Sequence, residues 1–141
     1  MGARTVATAP AILQQAVASA VMQQLFTEEL VEGDFEFLEG RCIKLEIEDI
    51  DLRWYLSCHR QRLRVRTWGR EDAAICGKLD AFILLAGRRE DPDSLFFQRR
   101  LVIEGDTELG LEMKNLLDTL DTDRLPAPLR WGIETSAYLL S

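Results

Sequence analysis

The sequence is poor in the residues that most often carry chemistry. Among 141 residues it has one histidine, His59, and three cysteines, Cys42, Cys58 and Cys76. No two cysteines form a C-x-x-C pair, and a lone histidine cannot complete a Cys/His set, so no metal site is expected. Widely spaced cysteines of this kind read as free thiols of a reducing compartment. Cys58 and His59 are adjacent, but neighbours along a strand point to opposite faces. A Ser-His-Asp arrangement would have to use His59, which sits among arginines with no nucleophile placed by spacing. G-x-S-x-G, P-loop and G-x-G-x-x-G motifs are absent. No catalytic residue and no cofactor is expected, and an enzyme is the least supported reading.

Positive charge is also in deficit. Seventeen Lys and Arg face 24 Asp and Glu, for a formal net charge of −7. A nucleic-acid binder needs the opposite balance to neutralise phosphates, so no nucleic-acid partner is expected. The same balance works against an anionic membrane surface, although a local patch can override it. No run approaches the roughly 20 apolar residues of a membrane span. Ala18-Ser19-Ala20 mimics a signal-peptidase site, but Gln14 and Gln15 interrupt the apolar stretch before it. Met1-Gly2 is not followed by the Ser or Thr at position six that myristoylation requires. A cytoplasmic chain is expected, with a peripheral position at the inner membrane as its membrane-linked variant.

What the chain does have is an ordinary globular composition, 47% hydrophobic and 29% charged. A chain of this length buries roughly 68–70% of its unfolded surface, enough for a core without disulfides. One domain over 1–141 is expected, with a core at 30–120, an N-terminal helix at about 9–26 and an apolar tail at 125–141. In the first helix Ile12, Leu13, Ala16, Val17, Ala20, Val21 and Leu25 form an apolar stripe, opposite Gln14, Gln15, Ser19 and Gln23. The stripe should pack on the domain, where the helix can also cover a pocket.

Alternation then marks strands. Ile43, Leu45 and Ile47 point one way and Lys44, Glu46 and Glu48 the other; Leu52, Trp54, Leu56 and Cys58 repeat the pattern, as do Leu63 and Val65. Short connections make these three an antiparallel meander. A short strand at Ala73–Cys76, a helix ending near Gly87, a fifth strand carrying Leu101 and Ile103, and a helix striped with Leu109, Met113, Leu116, Leu117 and Leu120 follow. Ser94 to Phe97 reads as the lead into that fifth strand. The order describes an α+β domain with helices on one face of a sheet.

Two features rise above this background. Arg60, Arg62, Arg64 and Arg66 share one parity, so a strand lines them along one face. Neutralisation by Glu46, Glu48 or the acidic 28–39 segment is the simpler reading; an interaction face for phosphate head groups, nucleic acid or an acidic partner protein is the other. The acidic pairs Glu28/Glu29 and Glu46/Glu48 read as surface decoration. The second feature is the supply of large apolar groups, including Phe35, Phe37, Trp54, Phe82 and Phe97, which can fill a core or enclose a cavity.

The segment from Asp91 to Asp118 contains Leu101-Val102-Ile103-Glu104-Gly105-Asp106 followed by a leucine-striped helix. It resembles the lipid-binding domain of sterol carrier protein type two. Phe96-Phe97-Gln98-Arg99-Arg100 before this core and Glu108-Leu109-Gly110-Leu111-Glu112 after it are similar to the bacterial UbiT subfamily, accessory factors of oxygen-independent ubiquinone biosynthesis. Phe35-Glu36-Phe37-Leu38-Glu39-Gly40-Arg41 resembles the same subfamily. The resemblance spans residues 30–120. It implies a five-stranded mixed, mainly antiparallel sheet covered by helices on one face, with an apolar tunnel between. It also implies non-catalytic binding of prenylquinone intermediates or phospholipid. The implied partners are the UbiU and UbiV hydroxylation proteins and other ubiquinone-biosynthesis enzymes, with a transient membrane contact.

On this reading the lipid-binding residues are Phe35, Phe37, Trp54, Phe82, Phe97, Leu101, Ile103, Leu109, Met113, Leu116 and Leu120, with the tunnel under the helix at 107–120. Arg62, Arg64 and Arg66 form the interaction face. The readings from other classes are a phospholipid-binding or membrane-contact module and an adaptor that docks through the arginines.

Overall fold

The computed structural model describes residues 11–141. The expected first-turn residues of the N-terminal helix, Ala9 and Pro10, lie outside the described residues. Helix α1 spans Ala11–Leu25 and α2 Thr27–Val31. The strands are β1 Ile43–Ile47, β2 Leu52–His59, β3 Arg62–Arg66, β4 Ala73–Gly77 and β5 Leu101–Gly105. Helix α3 spans Leu79–Ala86, α4 Pro92–Phe97, α5 Thr107–Leu117 and α6 Ala127–Leu140.

The sheet order is β3-β2-β1-β4-β5. Only β1 and β4 pair in parallel; the other three pairings are antiparallel. The register places Val65 beside Leu56, Leu56 beside Ile43, and Ile43 beside Ala73. Because side chains alternate along each strand, these residues share one apolar face. The helices cover that face, as the α+β expectation requires. Lys44, Glu46, Arg53 and the β3 arginines lie on the opposite, open face.

Helix α5 sits tightly on β5. Gly110 is buried there, and a Cβ at its position would overlap the Ile103 side chain. Asp106 caps the helix by accepting from the Leu109 N–H at 3.1 Å. Leu109 and Met113 are essentially inaccessible to solvent. Helices α3 and α6 approach as closely, since a Cβ at Gly87 would overlap that of Ala137.

Three expectations need correction. Residues 92–97 form a helix rather than a lead-in to β5. Asp91 accepts from the Ser94 N–H at 2.7 Å and Pro92 fills the first helical turn, a capping arrangement that outweighs the strand-like run of apolar residues. The apolar tail is the helix α6. The third concerns α1, whose orientation is turned from the expected one. Ile12, Leu13 and Val17 are exposed, while Ala18, Met22 and Leu25 are buried.

The cause lies at the sheet edge. Strand β3 has no strand on its outer side, and its outward N–H groups need acceptors. Gln23 Oε1 accepts from the Leu63 N–H at 3.2 Å, and Gln15 Oε1 accepts from the Thr67 N–H at 3.0 Å. Eight residues of helix rise about 12 Å. Four residues of strand rise about 13 Å, so the two glutamines match the two amides in pitch. Satisfying the edge thus turns the polar side of α1 inward. The Gln15→Ala, Gln23→Ala double variant should lose about 1–3 kcal/mol of stability in urea denaturation. Gln24→Ala, on the exposed side, should lose much less.

Candidate functional site

The apolar face of the sheet is not filled evenly. A cavity of about 190 Å³ lies where α1, α3 and α6 meet over β1 and β2. Its floor is Leu45 and Ile47 of β1 and Trp54 of β2. Val21, Met22 and Leu25 of α1, with Phe26, form one wall, and Phe82, Leu85 and Ala86 of α3 another. Leu117 of α5, then Leu120, Thr122 and Leu125 of the segment after it, and Ile133 of α6 complete the lining. Apart from Trp54 and Thr122 every lining side chain is hydrocarbon or thioether, and none is charged. An apolar cavity of roughly 150 Å³ stays dry and takes up a benzene-sized molecule, so this one can hold an apolar ligand.

The roof is clasped by one arginine. Arg124 Nη1 donates to the Leu25 carbonyl and to Glu29 Oε1, both at 2.7 Å, and Nη2 donates to Glu28 at 3.2 Å. Glu29 is buried. The Glu29 carboxylate raises the pKa of Arg124. Glu28 and Glu29 are therefore structural partners, not the surface decoration expected of them. They tie the end of α1 to the segment that carries Thr122 and Leu125.

The expected lining residues divide. Trp54, Phe82 and Leu120 are brought together at the cavity. Leu101, Ile103, Leu109 and Met113 are packed where Gly110 lets α5 drop onto β5, and Leu116 is packed nearer the C-terminal end of that helix. Of α5 itself, Leu117 at the C-terminal end borders the cavity. Phe35 packs edge-on against Phe26 at 5.2 Å between ring centroids, and Phe37 stacks on Phe35 at 6.1 Å. Phe35 faces a second hollow near Glu39, Cys58 and Arg60. Phe97 is 90% exposed and belongs to no apolar cluster. Of the lining residues not proposed, Val21, Leu25, Leu45 and Ile47 carried the signal of helical or strand periodicity. Periodicity marks an inward side chain but not whether it meets a neighbour or a void.

The arginine row is not neutralised as expected. Glu46 binds Lys44 at 3.1 Å and Arg53 at 3.5 Å, and so is used before it reaches β3 two strands away. Lys44 also binds Glu71 at 3.1 Å; burial opposes its charge, but the two carboxylates outweigh it and raise its pKa. Among the described residues, Arg62, Arg64 and Arg66 form no ion pair, and all three are exposed. The Arg66 guanidinium lies 5.5 Å from the ring centroid of Trp68, itself exposed.

The cysteines are placed as inert thiols. Burial, with the Glu39 carboxylate beside it, pushes Cys58 up to about 11, and burial with Glu104 nearby pushes Cys76 up to about 12. Burial also raises Cys42. Thiolate is scarce at neutral pH in all three. Among the described residues no group of three or more His, Cys, Asp or Glu side chains is arranged to hold a metal ion, and no helix is long and apolar enough to cross a membrane.

The SCP-2 sterol transfer family matches residues 20–118. The ubiquinone biosynthesis accessory factor UbiT of Escherichia coli K12 is 42% identical over 121 residues, covering 86% of this chain and 70% of its own. The protein of the same name from Escherichia coli O157:H7 is equally similar. A solved structure described as a UbiJ-SCP2 ubiquinone synthesis protein superposes with a TM-score of 0.61 at 17% identity, over 75% of this chain and 89% of its own. The fold and cavity define a sterol-carrier-type lipid-binding domain. The chain belongs to the SCP-2 sterol transfer family, in its UbiT group of ubiquinone biosynthesis accessory factors.

Two tryptophan substitutions separate the cavity from the packed core. Leu120→Trp should fill cavity volume at little cost in stability. Leu116→Trp, in the filled region, should overpack and lose about 1–3 kcal/mol, read from thermal and urea midpoints. Equal losses in both would show that the cavity cannot accept added volume.

Proposed function

We propose that this protein is a non-catalytic carrier that binds prenylated ubiquinone precursors in the cavity between its sheet and helices, for oxygen-independent ubiquinone biosynthesis. The observation that carries the reading is the uncharged apolar cavity in a chain of the UbiT group. A polyprenyl compound is nearly insoluble, and burying some ten of its carbons contributes on the order of 8 kcal/mol gross. Ordering and association offset about 4–15 kcal/mol across ligands and proteins, which leaves affinity in a range compatible with release. The protein offers the ligand a walled site and no acid, base or nucleophile. A phospholipid occupant is the competing reading.

Lipid extraction and native mass spectrometry of protein purified from ubiquinone-producing cells test this directly. A co-purified isoprenoid ring compound, displaced in Leu120→Trp, is the expected result. Preparations that are repeatedly lipid-free, together with no thermal shift on adding isoprenoids, would refute the carrier role. Phospholipid alone would favour the competing reading.

The unpaired arginines favour a second surface. Arg62, Arg64 and Arg66 beside Trp68 form a basic, partly aromatic face on a chain of net charge −7. We assign this face to docking acidic surfaces of the UbiU and UbiV hydroxylation proteins or of other enzymes of the pathway. A carrier that must hand over an insoluble compound needs such a contact, in the cytoplasm or at the membrane periphery. The triple change Arg62→Gln, Arg64→Gln, Arg66→Gln should leave stability within about 0.5 kcal/mol, because these side chains are exposed and unpaired. It should weaken pull-down of UbiU and UbiV and remove its salt dependence. Unchanged pull-down would show the face to be solvated only, and loss of binding to anionic vesicles alone would make it a membrane contact.

A further inference from the structure

Helix α6 has one side that nothing in the chain covers. Trp131, Tyr138 and Leu139 are 71%, 66% and 77% exposed. Trp131 and Tyr138 are about two helical turns apart, so they share one stripe, with Leu139 beside Tyr138. Ile133 and Ala137 lie on the other side, at the cavity and against Gly87. The charged residues of α6 are Arg130 and Glu134, which pair with each other at 4.0 Å, and Glu134 also accepts from the Thr122 hydroxyl at 3.3 Å. The Arg89 guanidinium lies 5.2 Å from the Tyr138 ring centroid and, among the described residues, forms no ion pair. This side therefore offers two amphipathic rings, a leucine and a cation at its edge. Trp and Tyr of this kind settle where hydrocarbon meets water, at the headgroup level of a membrane.

The same side leads to the cavity. Arg89, with Arg88, Glu90, Asp91 and Asp118, lines a polar hollow of about 270 Å³. Leu85, Leu117 and Leu120 line both this hollow and the apolar cavity, so the two stand back to back with three leucines as the partition. Arg88 Nη1 donates to the Leu120 carbonyl at 2.6 Å, which holds the main chain behind that partition. We propose that the exposed side of α6 rests on a lipid bilayer, with Trp131, Tyr138 and Leu139 in its interface and the hollow opening at headgroup depth. Three side chains of about 150–250 Å² each, partly exposed, fall well short of the ~800 Å² per partner of a stable protein interface. A bilayer needs no shape match, and a small contact lets the protein leave it again. The contact stands independently of the ligand. That it is the place where ligand crosses the leucine partition rests on the carrier reading above, whose ligand dissolves in the bilayer.

Flotation of the full chain with phosphatidylcholine vesicles tests the contact in wild type, in the triple variant Trp131→Gln, Tyr138→Gln, Leu139→Gln, and in the triple arginine variant of β3. Wild type should float with these neutral vesicles at low and high salt, because the contact is apolar and aromatic. The α6 variant should partition at least about tenfold more weakly, with an unchanged thermal midpoint because its changes are exposed. Trp131→Gln alone should weaken partitioning in the same direction, and the arginine variant should float like wild type. Uptake of geranyl-1,4-benzoquinone from the vesicles should slow about tenfold in the α6 variant, while titration of that compound in solution gives the wild-type affinity. Absence of wild-type flotation, or equal flotation of wild type and α6 variant, would overturn the inference and leave the carrier reading standing. So would a dimer, seen by light scattering, that the α6 variant loses. Failure of wild type to bind the quinone in solution, with flotation as expected, would overturn the carrier reading and leave the bilayer contact standing.

Discussion

One face of the five-stranded sheet must be kept from water over its whole area, and a single helix, about 10–12 Å across, cannot do this alone. The cover is assembled from α1, α3, α5 and α6, each held differently. Helix α5 is held by close backbone approach, made possible by Gly110. Helix α1 is held by hydrogen bonds to the β3 edge. Helix α6 reaches the others through Ala137 against Gly87. Where these pieces converge without meeting, the cavity remains. Arg124 draws the pieces together across the chain, and its contact with the buried Glu29 makes that closure sensitive to the loss of either partner.

Much of this was legible in the residues. Alternation at Ile43–Ile47, Leu52–Cys58 and Leu63–Val65 located the meander, because a half-buried strand has to alternate. The leucine stripe of α5 was equally plain. The errors have physical reasons. For α1, side-chain hydropathy pointed one way and the unsatisfied edge of β3 pointed the other; the edge is a property of the sheet that no stretch of helix sequence displays. For 92–97, a cap formed by Asp91 and Pro92 outweighed a run of apolar side chains.

The position of the cavity was hidden for a different reason. Leu116 and Leu120 share one stripe in the sequence, yet the helix ends at Leu117 and only Leu120 borders empty volume. The difference depends on how far α5 stands from the sheet, and that is set by Gly110 and by where the chain turns after Leu117. Sequence patterns report the direction of a side chain and not the distance to what it faces. Trp54 was half visible: its inward position followed from alternation, whereas its place at the cavity emerged only with the neighbours in place.

The glutamines of α1 have a consequence beyond stability. Hydrogen bonds from helix side chains to a sheet edge are independent of one another and of the backbone ladder. Each can be lengthened, shortened or lost by one codon change while the sheet keeps its pairing. The grip of α1, which supplies one wall of the cavity, is thus an evolutionarily adjustable quantity. Homologues can differ in how readily that wall yields without any change in fold.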